Sequence, residues 1–269
     1  MFNLEYSVTS WGSPKAPKRA LLLHGLTGTG AVFFKVAEIL IENADDVGYR
    51  VDAPDLLGHG WAPHASEAYT IPLLASYLVK HISEEKYDVI AGVSIGATAI
   101  LHLLSQLRYP PARAVLVEPI LDQPAASAEH IAAMVEKCAS PPSEEELLRG
   151  NPKWIREEAI LKRLAFVQMD PKLIGDLHEE RRQGRCSHSL IPPPSAIPNT
   201  ELIILAADPK LKSVYTASNA ARLEKDHPHV KFGWKAGITH DAHKTGAEVV
   251  ASVIMEGMKG QMGIEVLRG

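Results

Sequence analysis

The sequence predicts an α/β protein: an open, doubly wound, mostly parallel sheet interrupted by one helical insertion. Three observations predict it. Short apolar runs alternate with helix-length segments along most of the chain. The runs are rich in Val, Ile and Leu, and several stay apolar for four or five residues, as strands covered on both faces do. One interval, residues 120–199, breaks that rhythm with helix punctuation and no strand pattern.

The strand candidates are Ala20–His24, Tyr49–Ala53, Asp88–Val93, Ala114–Val117, Glu201–Ala207 and Val230–Trp234. Helix-length segments lie between and after them, at about Ala31–Glu42, Ile71–Ser83, Ile95–Gln106, Val214–Lys225 and Asp241–Met258. This βαβ alternation is what a parallel sheet with helices on both faces requires. Phe2–Thr9 is a candidate antiparallel edge strand.

The interval 120–199 is too long to be a structureless loop in a compact domain. Ser127 can cap a helix whose apolar positions Ile131, Met134, Val135 and Cys138 fall on one stripe. Ser143 and Glu146 have the spacing of a capping box, with Gly150 as a stop. A third helix spans about Pro152–Gln168, and a fourth starts at Asp170-Pro171 and ends near Gly184. The proline-rich stretch Ile191–Pro198 is an extended return path. The expected organisation is a core of residues 1–119 and 200–269, with a helical cap (lid) at 120–199 over the C-terminal edge of the sheet.

Bulk properties remove several function classes. The chain has 269 residues, is 46% hydrophobic and carries a net charge of −4, which gives no basic footprint for nucleic acid. The densest basic cluster, Arg181, Arg182 and Arg185, reads as the solvated end of a helix. No run of about 18 apolar residues suggests a membrane span. The N-terminus lacks the pattern of a secretory signal, and with only Cys138 and Cys186 there is no disulfide framework, so free thiols and a cytoplasmic location are expected. No Gly-rich phosphate loop, dinucleotide fingerprint or zinc-ligand pattern occurs, so no cofactor and no metal are expected.

The chemistry concentrates at Gly92-Val93-Ser94-Ile95-Gly96, a G-x-S-x-G motif between a strand and a helix. A serine on so tight a turn projects above the sheet, and the two glycines keep side chains out of the turn. The following helix directs its positive end at the serine, and the Ile95 N–H can bond a developing oxyanion. His24-Gly25-Leu26-Thr27-Gly28 follows the first buried strand, where a second oxyanion N–H is expected, here from Leu26. Asp55-Leu56-Leu57-Gly58-His59-Gly60 is a structural turn, and His24 and His59 are read as loop-bracing groups.

Taken together, HGLTG at 24–28, DLLGHG at 55–60, GVSIG at 92–96, LAADP at 205–209 and GITHDAH at 237–243 resemble the α/β-hydrolase superfamily, in order and over nearly the whole chain. The resemblance implies a mostly parallel eight-strand sheet, a cap inserted after the sixth strand, and a triad in the order serine, acid, histidine. His240, after the strand Val230–Trp234, is the implied base, ahead of His243 in the next helical turn. The acid has two candidates. Asp208 follows the strand Leu202–Leu205 and leaves room for one helix and one strand before His240; it is the preferred choice. Glu118 ends the strand Ala114–Val117 and is the alternative, in the location that fungal zearalenone lactonases resemble.

The expected function is therefore a serine hydrolase, an esterase or lactonase acting on a small to medium apolar substrate through an acyl-enzyme. Met134, Trp154 and Phe166 of the cap are candidate substrate contacts. The serine sets aside relatives with an aspartate nucleophile. Carbon–carbon bond hydrolases and lyases on the same triad stay open, as does a receptor that binds its ligand under a moving cap. The expected partner is a small molecule, with the oligomeric state undetermined.

Overall fold

The computed structural model describes residues 6–42, 48–211, 213–258 and 264–266. Its strands are β1 (Val8–Trp11), β2 (Lys18–Leu23), β3 (Tyr49–Pro54), β4 (Val89–Val93), β5 (Arg113–Val117), β6 (Glu201–Ala206), β7 (Lys231–Lys235) and β8 (Ile264–Val266). They form one eight-stranded sheet in the order β1-β3-β2-β4-β5-β6-β7-β8. The inner pairings are parallel, and β1 and β8 close the two edges antiparallel. The edge strand expected at Phe2–Thr9 is realised at Val8–Trp11, while Phe2–Glu5 lie outside the described residues.

Between and after the strands run α1 (Phe34–Glu42), α2 (Ile71–Ile82), α3 (Ile95–Leu103), α4 (Ala128–Ala139), α5 (Glu144–Gly150), α6 (Arg156–Gln168), α7 (Lys172–Arg182), α8 (Ala217–Asp226), α9 (Ala242–Thr245) and α10 (Ala247–Glu256). None of the described helices is long and apolar enough to cross a membrane. The single helix expected over Asp241–Met258 is two. It breaks at Gly246, where a Cβ would lie 2.3 Å from the Ile238 side chain.

The strands are apolar on consecutive positions because the sheet divides two cores. Leu21, Leu23, Ile90, Leu116 and Ile204 point to one face, against α2, α3 and Leu173, Ile174 and Leu177 of α7. Leu22, Ala91, Val115, Ile203 and Leu205 point to the other, against Val36 and Leu40 of α1 and Val250 and Ile254 of α10. Burying a Leu, Ile or Val side chain stabilises by roughly 1.5–3 kcal/mol, so both layers contribute to holding the strand ends in register.

That register positions the site. Val93 of β4 is level with Val117 of β5, and Val117 with Leu205 of β6. The ladder continues one residue further, as Ser94 N–H donates to Val117 O at 2.9 Å and Glu118 N–H to Leu205 O at 2.9 Å. Ser94 and Glu118 thus leave the same edge of the sheet on neighbouring strands.

The helical insertion α4–α7 follows β5, the fifth strand rather than the sixth among the described residues. Two of its helices, α4 and α5, start where their caps predict, whereas α6 starts at Arg156 rather than near Pro152, and α7 starts at Lys172 with Pro171 at its N-cap. Ser127 accepts from His130 N–H at 3.2 Å, and Ser143 and Glu146 close a reciprocal capping box. The insertion is tied to the body between α6 and α7 and again at its return. Asp170 N–H donates to Gly58 O at 2.8 Å, and Tyr69 Oη–H to the Asp170 carboxylate at 2.8 Å. At the return, the buried His188 bridges the Asp122 carboxylate and, at 2.9 Å, the hydroxyl of Tyr215.

Candidate active site

Ser94 occupies φ 57°, ψ −120° between β4 and α3. A non-glycine residue there is strained by about 1–3 kcal/mol and persists because its surroundings leave no alternative. The flanking glycines show why. A Cβ on Gly96 would stand 2.4 Å from Leu23 O, and one on Gly92 would stand 2.7 Å from Ala97 N. The strand end, the turn and the helix start are packed too closely for a side chain at either glycine position. The Cβ direction of Gly25 points at Ser94 Cβ, 3.4 Å away, so the 24–28 loop lies directly against the serine.

Two buried histidines hold that loop. His24 Nε2 accepts from Leu56 N–H at 3.0 Å, which places its proton on Nδ1, 2.8 Å from Gly25 O. His59 Nε2 lies 2.6 Å from Leu26 O. Burial lowers the pKa of both, that of His59 to about 3, so both brace the loop as neutral rings. Leu26 and Ile95 both border the space beside Ser94.

His240 lies after β7 and borders the same cavity as Ser94. Its Nδ1 is 3.1 Å from Oε2 of Glu118. Glu118 is fully buried and takes a positive φ of 52°. Oε1 accepts from Ala207 N–H at 2.8 Å and from the Ser213 hydroxyl at 2.5 Å, and Oε2 accepts from Val214 N–H at 2.7 Å. Burial pushes its pKa up, but the bonds from His240, Ser213 and Ala207 outweigh it and hold the carboxyl below its usual range. Asp208, the preferred acid of the sequence reading, is bonded elsewhere. Its carboxylate accepts from Lys210 N–H and Gly237 N–H, both at 2.9 Å, and pins the turn that precedes His240. Those two N–H groups lower its pKa. The carboxylate at His240 is thus the alternative, Glu118.

His243 is buried under the ring of Phe33, and burial with the adjacent Lys244 lowers its pKa to about 3. Its Nδ1 has no hydrogen-bond partner among the described residues.

The cavity above Ser94 measures about 390 Å³. An apolar recess of about 60 Å³, bordered by Ile71, Ile95 and Leu177, shares Ser94, Leu26, Ile120, His178 and Arg181 with it. Of the three expected cap contacts, Met134 lines the cavity. Trp154 and Phe166 are buried one layer back, with Lys244 Nζ 3.8 Å and Lys162 Nζ 5.2 Å from the respective ring centroids. The ammonium groups of those two lysines, not the aromatic rings, belong to residues of the lining. The basic cluster at the end of α7 also divides. Arg182 and Arg185 pair with Glu179 and Glu180, whereas Arg181 lines the cavity. Helical spacing alone does not show which of three clustered arginines points inward.

The Alpha/beta hydrolase family matches residues 20–252. Lipase LipV of Mycobacterium tuberculosis (strain ATCC 25618 / H37Rv) is 32% identical over 108 residues, which is 39% of this chain and 39% of that protein. The chain therefore aligns with well under half the length of that relative. The fold is shared with a thermophilic esterase from Thermogutta terrifontis, with TM-score 0.66, 17% identity and coverage of 93% and 92% of the two chains. It is shared equally with the enol-lactonase from Burkholderia xenovorans LB400, with TM-score 0.64, 15% identity and coverage of 94% and 95%.

Proposed function

The chain belongs to the alpha/beta hydrolase family, and we propose that it acts there as a serine hydrolase that cleaves a carboxylic ester or lactone through an acyl-enzyme. The observation that carries this reading is the strained serine lining a cavity that His240 also lines, with Glu118 bonded to Nδ1 of that imidazole. The distant similarity to a lipase and the fold shared with an esterase and a lactonase support the reaction class.

In this mechanism Ser94 Oγ attacks the substrate carbonyl while His240 Nε2 takes its proton. Glu118 keeps the proton of the ring on Nδ1 and stabilises the imidazolium that forms. The N–H groups of Leu26 and Ile95 receive the oxyanion. Collapse of the tetrahedral species expels the alcohol, which His240 protonates. Water, deprotonated by the same imidazole, then releases the acid and restores Ser94.

A panel of 4-nitrophenyl esters and aliphatic lactones, assayed with the protein and with Ser94→Ala, tests the proposal. The expected result is multiple turnover on at least one substrate and a fall of about 10⁴ or more in kcat for the variant. Equal rates for the two proteins would overturn it.

A further inference from the structure

Two basic side chains of the helical insertion border the cavity, and among the described residues neither forms an ion pair with a carboxylate. Arg181 is on α7 and Lys162 is on α6, and both border the cavity that holds Ser94. The Arg181 guanidinium donates to Pro124 O, lies 3.2 Å from His178 Nδ1, and keeps a buried Nε–H with no partner among the described residues. His178 offers no counter-charge. Its Nδ1 accepts from Ala126 N–H at 3.2 Å, and burial with the neighbouring Arg181 lowers its pKa to about 4. Lys162 Nζ donates to the backbone oxygen and hydroxyl of Thr27, which are neutral acceptors.

The lining holds one carboxylate, Asp241, and it is 3.5 Å from Lys244 Nζ. Of the three basic lining residues, Lys244 is paired with that carboxylate, Lys162 has its charge weakened by burial, which lowers its pKa to about 7, and Arg181 carries a full charge with no counter-charge among the described residues. Holding a half-buried charge without a partner is costly, and an anionic ligand seated beside it would offset that cost. Arg181 also borders the recess next to Ser94, Leu26 and Ile95, so an anion seated beside it lies within a few carbon atoms of the reacting carbonyl.

We propose that the substrate is itself an anion: an ester or lactone that carries a carboxylate, held by Arg181, with the Lys162 amine as a second N–H donor on the cavity wall. This rests on the serine-hydrolase reading above and replaces the purely apolar substrate that the sequence suggests. Arg181 is the sharper determinant, since a guanidinium can grip a carboxylate through two parallel N–H bonds whereas an ammonium acts as a point charge.

Two matched pairs of esters test it. 4-Nitrophenyl hydrogen glutarate against 4-nitrophenyl pentanoate places the charge on the acyl side. O-Butyryl-lactate against its methyl ester places it on the alcohol side. The protein is expected to favour the anion in at least one pair by about tenfold or more in kcat/KM, a preference that shrinks as salt is raised. In that pair Arg181→Met should lower the ratio of anionic to neutral kcat/KM by about tenfold, and Arg181→Lys should retain part of it. Because the readout is a ratio within one preparation, partial misfolding of a variant does not mimic the result. Hydrolysis of the neutral esters with no preference in either pair overturns this inference and leaves the serine-hydrolase reading standing. So does a preference that survives Arg181→Met unchanged. Absence of hydrolysis of all four esters, together with no fluorophosphonate labelling of Ser94, overturns both.

Discussion

Nδ1 of His240 lies 3.1 Å from Oε2 of Glu118, although 122 residues separate them in the chain. Three further donors fix the carboxylate: Ala207 N–H, Val214 N–H and the Ser213 hydroxyl. With both oxygens engaged and the residue fully buried, Glu118 has one orientation available, and it sets the plane of the imidazole. Its own backbone, at φ 52°, is one of three non-glycine residues with positive φ among the described residues, and another of the three is Ser94.

The two candidate acids should therefore separate in kinetics. Glu118→Gln keeps size and removes the charge that stabilises the imidazolium, so kcat should fall by on the order of 10³–10⁴ with KM nearly constant. Asp208→Asn should keep most of kcat and instead lower Tm, because one of the N–H groups on the Lys210 or Gly237 side loses its acceptor. Steady-state kinetics and thermal melts of the two purified variants decide between them. The reverse pattern would restore Asp208 as the acid.

The thiols are expected to differ in reactivity. Cys138 and Cys186 are both free; Cys186 is buried, and burial together with Glu180 raises its pKa to about 11. A thiol reagent at neutral pH should modify the half-buried Cys138 first and Cys186 only slowly, since the thiolate is the reacting form. Denaturation without reductant should expose two thiols. Finding none would mean that they pair.

Lys162 should leave a mark on the pH dependence of stability. Burial, reinforced by Lys244, lowers its pKa from the usual 10.5 to about 7. Between those values the unfolded chain binds a proton that the folded chain does not, so stability rises with pH across about 7 to 10. Below about 7 both states are protonated and the contribution is flat. Lys162→Met removes the difference. Denaturant midpoints at pH 7 and 9 should therefore rise more for the wild-type protein than for the variant, and equal slopes would show that Lys162 is not perturbed.

Much of this architecture is legible in the sequence. The buried strands declare themselves as unbroken apolar runs because both faces of the sheet are covered. Ser127 and Ser143 announce their helices by accepting N–H bonds from three residues on, and Asp170 by accepting from Lys172 N–H two residues on, local chemistry that the sequence records directly. Ser94 is legible because both glycines its turn demands fall within two residues of it, Gly92 through contact with the start of α3 and Gly96 through contact with the end of β2. The acid is not. Which carboxylate meets His240 depends on the register of β5 against β6 and on the path of residues 207–214, and no local pattern records either. One signal does bear on it: Asp208 precedes a proline and a short helical turn, Pro209–Leu211, and such an aspartate caps its own turn. The cationic lining escapes for a similar reason. Arg181 and Arg182 are adjacent in sequence and opposite in role, and only the packing of α7 over the sheet distinguishes them.

Covalent trapping tests the central claim most directly. Incubation with a neutral fluorophosphonate, followed by intact mass measurement and peptide mapping, reports which residue is the activated nucleophile. One equivalent is expected on the peptide containing Ser94, with no adduct in Ser94→Ala and strongly slowed labelling in His240→Ala and Glu118→Gln, since the imidazole and its carboxylate activate the hydroxyl. An adduct on another residue, or equal labelling of Ser94→Ala, would contradict the account.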